Sequence, residues 1–274
     1  MENKIRNILF VISIICGVFI FTDSKAEQAP PLPISSCSKY LPYGMPTQKP
    51  GSILICRHGY VLSYDPKAKI PIWVAYTLNP NNVLGCVPRS NAFTTDDSLP
   101  LDARATPADY KNSGYDQGHN APDGDMEYSS ITEKESFLLS NMTPQLGGLN
   151  RETWKYLEED VRGWVLNSNH TFWIITGPLY DLKHKTIGKN KVVVPDGYFK
   201  TLVDTSTLKS QSFLLPQKEG LGKDLSPYYV SIATVEKYTA LSLILSNSID
   251  KNTKDPMWSP TNGNYVELKR KKCD

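Results

Sequence analysis

Histidine is scarce in this chain of 274 residues: there are four, and no two of them stand four apart. Cysteine is hardly commoner, at five, and no Cys-x-x-Cys pair occurs. The usual zinc-ligand spacings are therefore missing. Long apolar runs are missing as well, since none reaches the ~20 residues that a membrane-spanning helix needs. Nor is one sign of charge in excess: 30 Lys and Arg face 28 Asp and Glu, a formal net charge of +2. Nucleic-acid-binding domains usually carry a basic surplus, so this balance speaks against such a partner. Net charge, however, is silent on where the charges sit. There is no internal repeat and no linker. The 40% hydrophobic and 10% aromatic content is that of a globular chain and excludes disorder or a collagen-like repeat.

What is present begins with a leader. Lys4 and Arg6 precede an uncharged apolar run from Ile8 to Phe21, and Ser24, Lys25 and Ala26 follow it. The pattern predicts a secretory signal peptide, residues 1–26, cleaved after Ala26. The run is about 14 residues, too short to span a bilayer, so no stable membrane association is expected after cleavage. The destination is secreted or periplasmic. Without residues 1–26 the chain holds 27 bases against 26 acids, a net +1. Four cysteines remain: Cys37, Cys56, Cys86 and Cys273. In an exported chain they predict two disulfides, with three connectivities open.

Residues 27–52 are rich in proline and read as an extended lead-in outside the core. Two strands are expected from Ile53 to Tyr64 and from Ile70 to Leu78. In the second, Ile72, Val74, Tyr76 and Leu78 share one face and Trp73 lies on the other, which implies a sheet covered on both sides. Residues 79–128 read as a long loop, and loops of that length are commonly functional. A capping box at Thr132 and Glu135 opens a short helix through Ser140. A second helix runs from about Asn150 to Leu166. Further strands are expected at 172–176, 191–194, 198–204 and 211–215, while 227–245 fits strand or helix. The sum is one mixed α+β domain over residues 53–250, with a central, largely antiparallel sheet flanked by helices. A basic tail follows at 251–274.

Among the histidines His119 stands apart, in the stretch YDQGHNAP over residues 115–122. Gly114 and Gly118 allow the backbone to approach a ligand closely, and Asp116 stands ready to orient the imidazole. On the second helix Trp154, Leu157, Val161, Trp164 and Val165 form one apolar stripe. With Asn150 at 0°, the stripe centres near 10°, Glu158 falls at about 80° and Arg162 at about 120°. An inward-facing amide needs a partner. Asn150 is then either the helix N-cap or a ligand of a hard cation such as Mg²⁺, which keeps most of its waters and needs few protein ligands.

These stretches resemble the DNA/RNA non-specific endonucleases of the ββα-metal group. The resemblance rests on residues 115–122, on NMTPQ at 141–145, and on Asn150, Trp154, Glu158 and Arg162. It continues in WVAY at 73–76, ITGP at 175–178, Val194 and Pro195 before Tyr198, Phe199 and Lys200, and the region of Glu236. It implies a ββα-metal active-site motif. It further implies that His119 is the general base and Asn150 the single protein ligand of Mg²⁺, with Mn²⁺ as a substitute. Glu158 corresponds to the carboxylate that holds water around the metal, and Arg162 to an arginine that stabilises the phosphate. Asn141 corresponds to a residue supporting the site's geometry, and Arg89 to a further phosphate-contacting arginine. The substrates implied are DNA and RNA, cut to 5′-phosphate products with little sequence preference, and a homodimer is admitted.

One departure stands out. The family motif is usually Asp-Arg-Gly-His, and position 117 is Gln. Gln117 can donate a hydrogen bond to a phosphate beside Asp116, but it brings neither charge nor fork. Arg89 or Lys111 would have to supply the missing cation. The alternative reading is a catalytically weakened, exported nucleic-acid-binding protein. Either reading requires charge separation: Arg89 and Arg162 at the cleft, with Asp96, Asp97, Glu159 and Asp160 elsewhere.

Overall fold

The computed structural model describes residues 28–181, 183, 185–244, 246–253, 259, 261 and 264–273. The leader expected over residues 1–26 lies outside them, as does His184. Alternating apolar residues form the strands β1 (Ile53–Cys56), β2 (Val61–Asp65) and β3 (Ile70–Leu78). The single strand expected from Ile53 to Tyr64 is thus a hairpin. The chain turns at His58 and Gly59, where the amide of Arg57 donates to the carbonyl of Tyr60 at 2.8 Å. The long segment that follows is less bare than expected. It holds two short helices, α1 (Pro80–Val83) and α2 (Pro107–Tyr110), and a strand, β4 (Asp116–His119).

Helix α3 (Ser130–Ser136) starts earlier than expected, because Ser129 is its cap and its Oγ accepts from the amide of Ile131. Thr132 spends its hydroxyl on the carbonyl of Met126 instead, at 2.6 Å. Strand β5 (Met142–Gln145) leads into helix α4 (Lys155–Ser168), which is preceded by a π-helical segment, Leu149–Trp154. The remaining strands are β6 (Phe172–Leu179), β7 (Thr186–Ile187), β8 (Val192–Val193), β9 (Gly197–Asp204), β10 (Ser210–Pro216) and β11 (Tyr229–Val230). The ambiguous stretch holds both: the short strand β11, then helix α5 (Ile232–Thr239). The basic C-terminal residues end in α6 (Asn264–Cys273).

Seven strands make one antiparallel sheet in the order β1-β2-β3-β6-β9-β10-β11. Both faces are covered, as Trp73 implied. The apolar stripe of α4 packs on one, with Trp164 stacked on Phe213 and Trp154 tilted against Tyr198. The Pro-rich lead-in covers the other and is a correction to its reading as non-core. Cys37, Tyr40 and Tyr43 are buried, and the carbonyls of Tyr40 and Thr47 accept from the indoles of Trp173 and Trp73. Proline there shapes a path across the sheet without preventing burial. The disulfides are Cys37–Cys56 and Cys86–Cys273, one of the three pairings.

Strands β4 and β5 form a separate two-stranded ribbon, with Asp116 opposite Gln145 and His119 opposite Met142. Gly118 is required there. A Cβ at that position would lie 2.3 Å from Gln145 Oε1 and 2.7 Å from its Cβ. The Gly118→Ala protein should lose about 1–3 kcal/mol of stability through this overpacking. Urea unfolding followed by circular dichroism would show it, and an unchanged midpoint would contradict the tight ribbon.

Candidate active site

The ribbon and α4 face each other across a cleft of about 910 Å³. Of the residues singled out from the sequence, Arg89, Asp116, Gln117, His119, Asn150, Glu158 and Arg162 all line it. Asn141 does not. It is wholly buried behind the ribbon, where its amide bonds three backbone groups. Its Nδ2 donates to the carbonyls of Ala121 and Ser136 at 2.8 and 2.9 Å, and its Oδ1 accepts from the amide of Ala121 at 2.9 Å. The chain leaving β4 is thereby fixed two residues beyond His119.

His119 packs against Phe93 and Phe137, with ring centroids 5.6 and 5.1 Å away. Its Nε2 is buried and has no hydrogen-bond partner among the described residues. Burial, and then the positive charges of Arg89 and Arg162, push the imidazole pKa down to about 3. The ring is therefore neutral, an acceptor with one nitrogen unused. The other described histidines are engaged in structural pairs: His58 with Glu135 at 2.9 Å and His170 with Asp204 at 2.8 Å.

Asn150 is not a helix cap. Its amide N–H donates to the carbonyl of Leu146 at 2.8 Å, so it lies within the winding, and its side chain turns to Asp116. The extrapolation of an α-helical wheel back to Asn150 fails because the first turn is π-helical, a wider winding found often at functional sites. Nδ2 of Asn150 donates to Asp116 Oδ2 at 3.0 Å, which leaves Oδ1 as the acceptor atom. Arg151 grips the same carboxylate, with Nε at 2.8 Å and NH2 at 2.5 Å. Burial opposes the charge on Asp116, but these hydrogen bonds prevail and hold its pKa below the usual carboxylate value.

Glu158 is raised to about 7 by burial, against the nearby charges of Arg162 and Lys200. Arg162 is itself buried; its Nε donates to Asp125 at 2.7 Å and its NH2 lies 3.7 Å from Glu158. Gly124 leaves room for that guanidinium, since a Cβ there would approach within 2.7 Å of it. Arg89 bonds Asp123 at 2.9 Å and lies over the Phe137 ring. Asp123 is in turn raised to about 6 by burial, with Arg89 opposing.

The charge separation expected from the sequence is half met. Asp96 is paired with Arg57, Asp97 with Arg104 and Glu159 with Lys155, and Asp160 accepts from Thr261; none of these four acids lines the cleft. Yet the cleft itself carries Asp116, Asp123, Glu127 and Glu158 beside Arg89, Lys111, Arg151, Lys155 and Arg162. Acidic partners fix the arginines in place.

Sequence reasoning missed three contributors. Arg151, next to Asn150, gave no signal because its role depends on the ribbon coming alongside. Tyr265 comes from the far C-terminus. Lys200 was quoted only as part of a resemblance. It is buried on β9, its ammonium lies 4.9 Å from the Trp154 ring centroid, and it has no hydrogen-bond partner among the described residues. Burial lowers its pKa, while Glu158 opposes.

No group of three or more His, Cys, Asp and Glu able to hold a metal occurs among the described residues. Of the four cleft carboxylates, Asp116, Asp123 and Glu127 are bonded to Arg151, Arg89 and Lys269, whereas Glu158 lies 3.7 Å from its nearest cation; with the amide oxygen of Asn150 it makes two available oxygen donors. Two oxygen donors suit a hard divalent ion that keeps most of its waters. A pH titration tests the state of His119. Because its native pKa is depressed, the unfolded chain binds the proton first, and the stability this group contributes is lost as pH falls from about 6.5 toward 3. Its ring proton resonances should stay unshifted between pH 8 and 5 in the metal-free protein; a midpoint near 6.5 would refute the burial argument.

The chain matches the model of a DNA/RNA non-specific endonuclease over residues 38–251. It is 32% identical over 219 residues to mitochondrial endonuclease G of Homo sapiens, covering 74% of this chain and 72% of that protein. To mitochondrial nuclease 1 of Schizosaccharomyces pombe it is 32% identical over 240 residues, covering 80% and 73%. A nuclease of the cyanobacterium Nostoc is 31% identical over 238 residues, covering 80% and 85%. A crystal structure of an EndoG/EndoGI complex aligns with a TM-score of 0.71 at 30% identity, covering 81% of this chain and 95% of that one. With the ribbon, the helix and the cleft between them, these likenesses establish that the chain belongs to the DNA/RNA non-specific endonuclease family and is a metal-dependent nuclease.

Proposed function

We propose that this nuclease is an exported, Mg²⁺-dependent enzyme that hydrolyses the phosphodiester backbone of DNA and RNA to 5′-phosphate products. The observation that carries the reading is the neutral, unpartnered Nε2 of His119, in a cleft shared with Asn150 and Glu158. His119 acts as general base and takes the proton of the attacking water. Burial against Phe93 and Phe137 lowers its basicity most, and the charges of Arg89 and Arg162 lower it further. Phosphate bound at Arg89 and Arg162 offsets the two charges that help to lower the imidazole pKa, so substrate itself strengthens the base.

Asn150 Oδ1 would hold the Mg²⁺ and Glu158 would hold the water around it, with Mn²⁺ as a substitute. Bound there, the ion supplies Lewis-acid stabilisation of charge on the phosphate and the leaving oxygen. Asp116 orients Asn150 by accepting from its Nδ2. Arg162 and Arg89 stabilise charge on the phosphoryl oxygens through donors already held in place, which avoids reorganisation during the reaction. Asn141 acts behind the ribbon by fixing Ala121. The missing arginine at Gln117 is made up by Arg89, Lys111 and Arg151 around the same cleft. Contacts of this kind address the backbone and not the bases, so sequence preference is weak.

Export is supported by the leader sequence and by two disulfides, bonds that persist in oxidising compartments. Among the described residues no helix is long and apolar enough to cross a membrane. The domain reading keeps residues 1–26 as leader and 53–250 as the nuclease body.

A plasmid and an RNA incubated with the protein should be degraded with Mg²⁺ and spared with chelator. His119→Ala should lose about 10²–10⁴-fold in rate while remaining folded. Cleavage by His119→Ala at the wild-type rate would sink the proposed mechanism. Salt-sensitive DNA binding with no cleavage under any divalent ion would favour the weakened binding protein instead.

A further inference from the structure

The family match ends at residue 251, yet one residue that lines the cleft, Tyr265, lies beyond it. Ser259, Thr261 and helix α6 lie along α4 as a C-terminal strap. The carbonyl of Ser259 accepts from the indole of Trp164 at 2.7 Å, and Thr261 donates to Asp160 from its amide and hydroxyl at 2.8 and 2.9 Å. Gly163 permits this approach, for a Cβ there would lie 2.4 Å from Thr261 Oγ1. Tyr265 then enters the cleft, where its hydroxyl accepts from Arg162 NH1 at 3.2 Å. Lys269 pairs with Glu127, another cleft residue, and Cys273 closes the strap by its bond to Cys86.

Arg162 thus has a different neighbour for each nitrogen: Asp125 at Nε, Glu158 near NH2 and Tyr265 at NH1. The first two belong to the matched domain and the third only to the strap. The two disulfides differ in access. Cys37 and Cys56 are fully buried, whereas Cys86 and Cys273 are both exposed.

We infer that Tyr265 is a positioning residue for Arg162, delivered by the C-terminal strap, and that the exposed Cys86–Cys273 bond holds it in place. The nuclease then turns over fully only while that bond is intact. An added dithiol supplies two electrons and two protons to give two thiols and closes to its own disulfide. The strap is then tied only by non-covalent contacts. This inference rests on the proposed role of Arg162 as a phosphate-stabilising group.

A coupling experiment in single-turnover plasmid cleavage separates positioning from structural support. Tyr265→Phe and the double variant Cys86→Ser/Cys273→Ser are each made in the wild-type protein and in Arg162→Lys, with folding at the assay temperature checked by circular dichroism. Each should slow cleavage about tenfold in the wild-type background, the scale of one lost hydrogen bond to a charged group. Neither should slow it further in Arg162→Lys. Dithiothreitol should reduce the wild type to the rate of the double-serine variant and leave that variant unchanged. Equal losses in both backgrounds would reduce the strap to a stabilising role and overturn the inference. So would wild-type rates for Tyr265→Phe and the double-serine variant while Arg162→Lys is impaired. If Arg162→Lys itself cleaves at the wild-type rate, the role of Arg162 has failed, and the inference falls with it.

Discussion

The carboxamide of Asn141 bonds both backbone groups of Ala121 and the carbonyl of Ser136, and so joins the exit of β4 to the end of α3. His119, two residues before Ala121, is placed by that junction. Ser140, its neighbour, donates to Asp96, which is paired with the buried Arg57 beside the main sheet. The ribbon is therefore tied to the sheet on one side and to the long upstream segment on the other. A buried amide bonded in this way is costly to disturb, since each backbone group left unsatisfied costs about 1–3 kcal/mol. That cost is what keeps a four-residue strand, too short to be stable alone, in a fixed place.

From that strand two side chains set up the site in opposite ways. His119 is held by aromatic rings, and its Nε2 has no hydrogen-bond partner among the described residues, which keeps it available. Asp116, at the other end of β4, is held by three donor nitrogens and serves as a handle on the helical side, through Asn150 and Arg151. Across the cleft Arg162, Glu158, Asp125 and Lys200 form a buried group of mixed charge. Isolated charges of this kind would be expensive to bury, and they persist because opposite signs lie together. The result is a cleft with little net charge in which each arginine is already aimed. This reconciles a nearly neutral chain with a polyanionic substrate.

Much of this was legible in the sequence. The alternation in β3 announced a sheet covered on both faces, and the apolar stripe of α4 announced its packing. His119 could be picked out because Gly114 and Gly118 precede it in a polar stretch. The failures have local causes. A helical wheel assumes one winding throughout, and the π-helical turn at Leu149–Trp154 breaks that assumption at Asn150, where it mattered most. Proline content suggested a lead-in outside the core, but proline is compatible with a covered path when neighbouring Cys37, Tyr40 and Tyr43 are buried. Arg151 and Tyr265 were invisible because they act through tertiary approach: one meets a carboxylate 35 residues away, the other an arginine 103 residues away.

The central claim is a division of labour across the cleft, with the base on the ribbon and the metal's amide ligand on the helical side. Binding of Mn²⁺, followed by its electron paramagnetic resonance signal without nucleic acid, tests it most directly. Three proteins suffice: the wild type, His119→Ala and Asn150→Ala. The account predicts that His119→Ala binds the ion as tightly as the wild type and that Asn150→Ala binds it much more weakly. Equal binding by Asn150→Ala, or a loss of binding confined to His119→Ala, would contradict it.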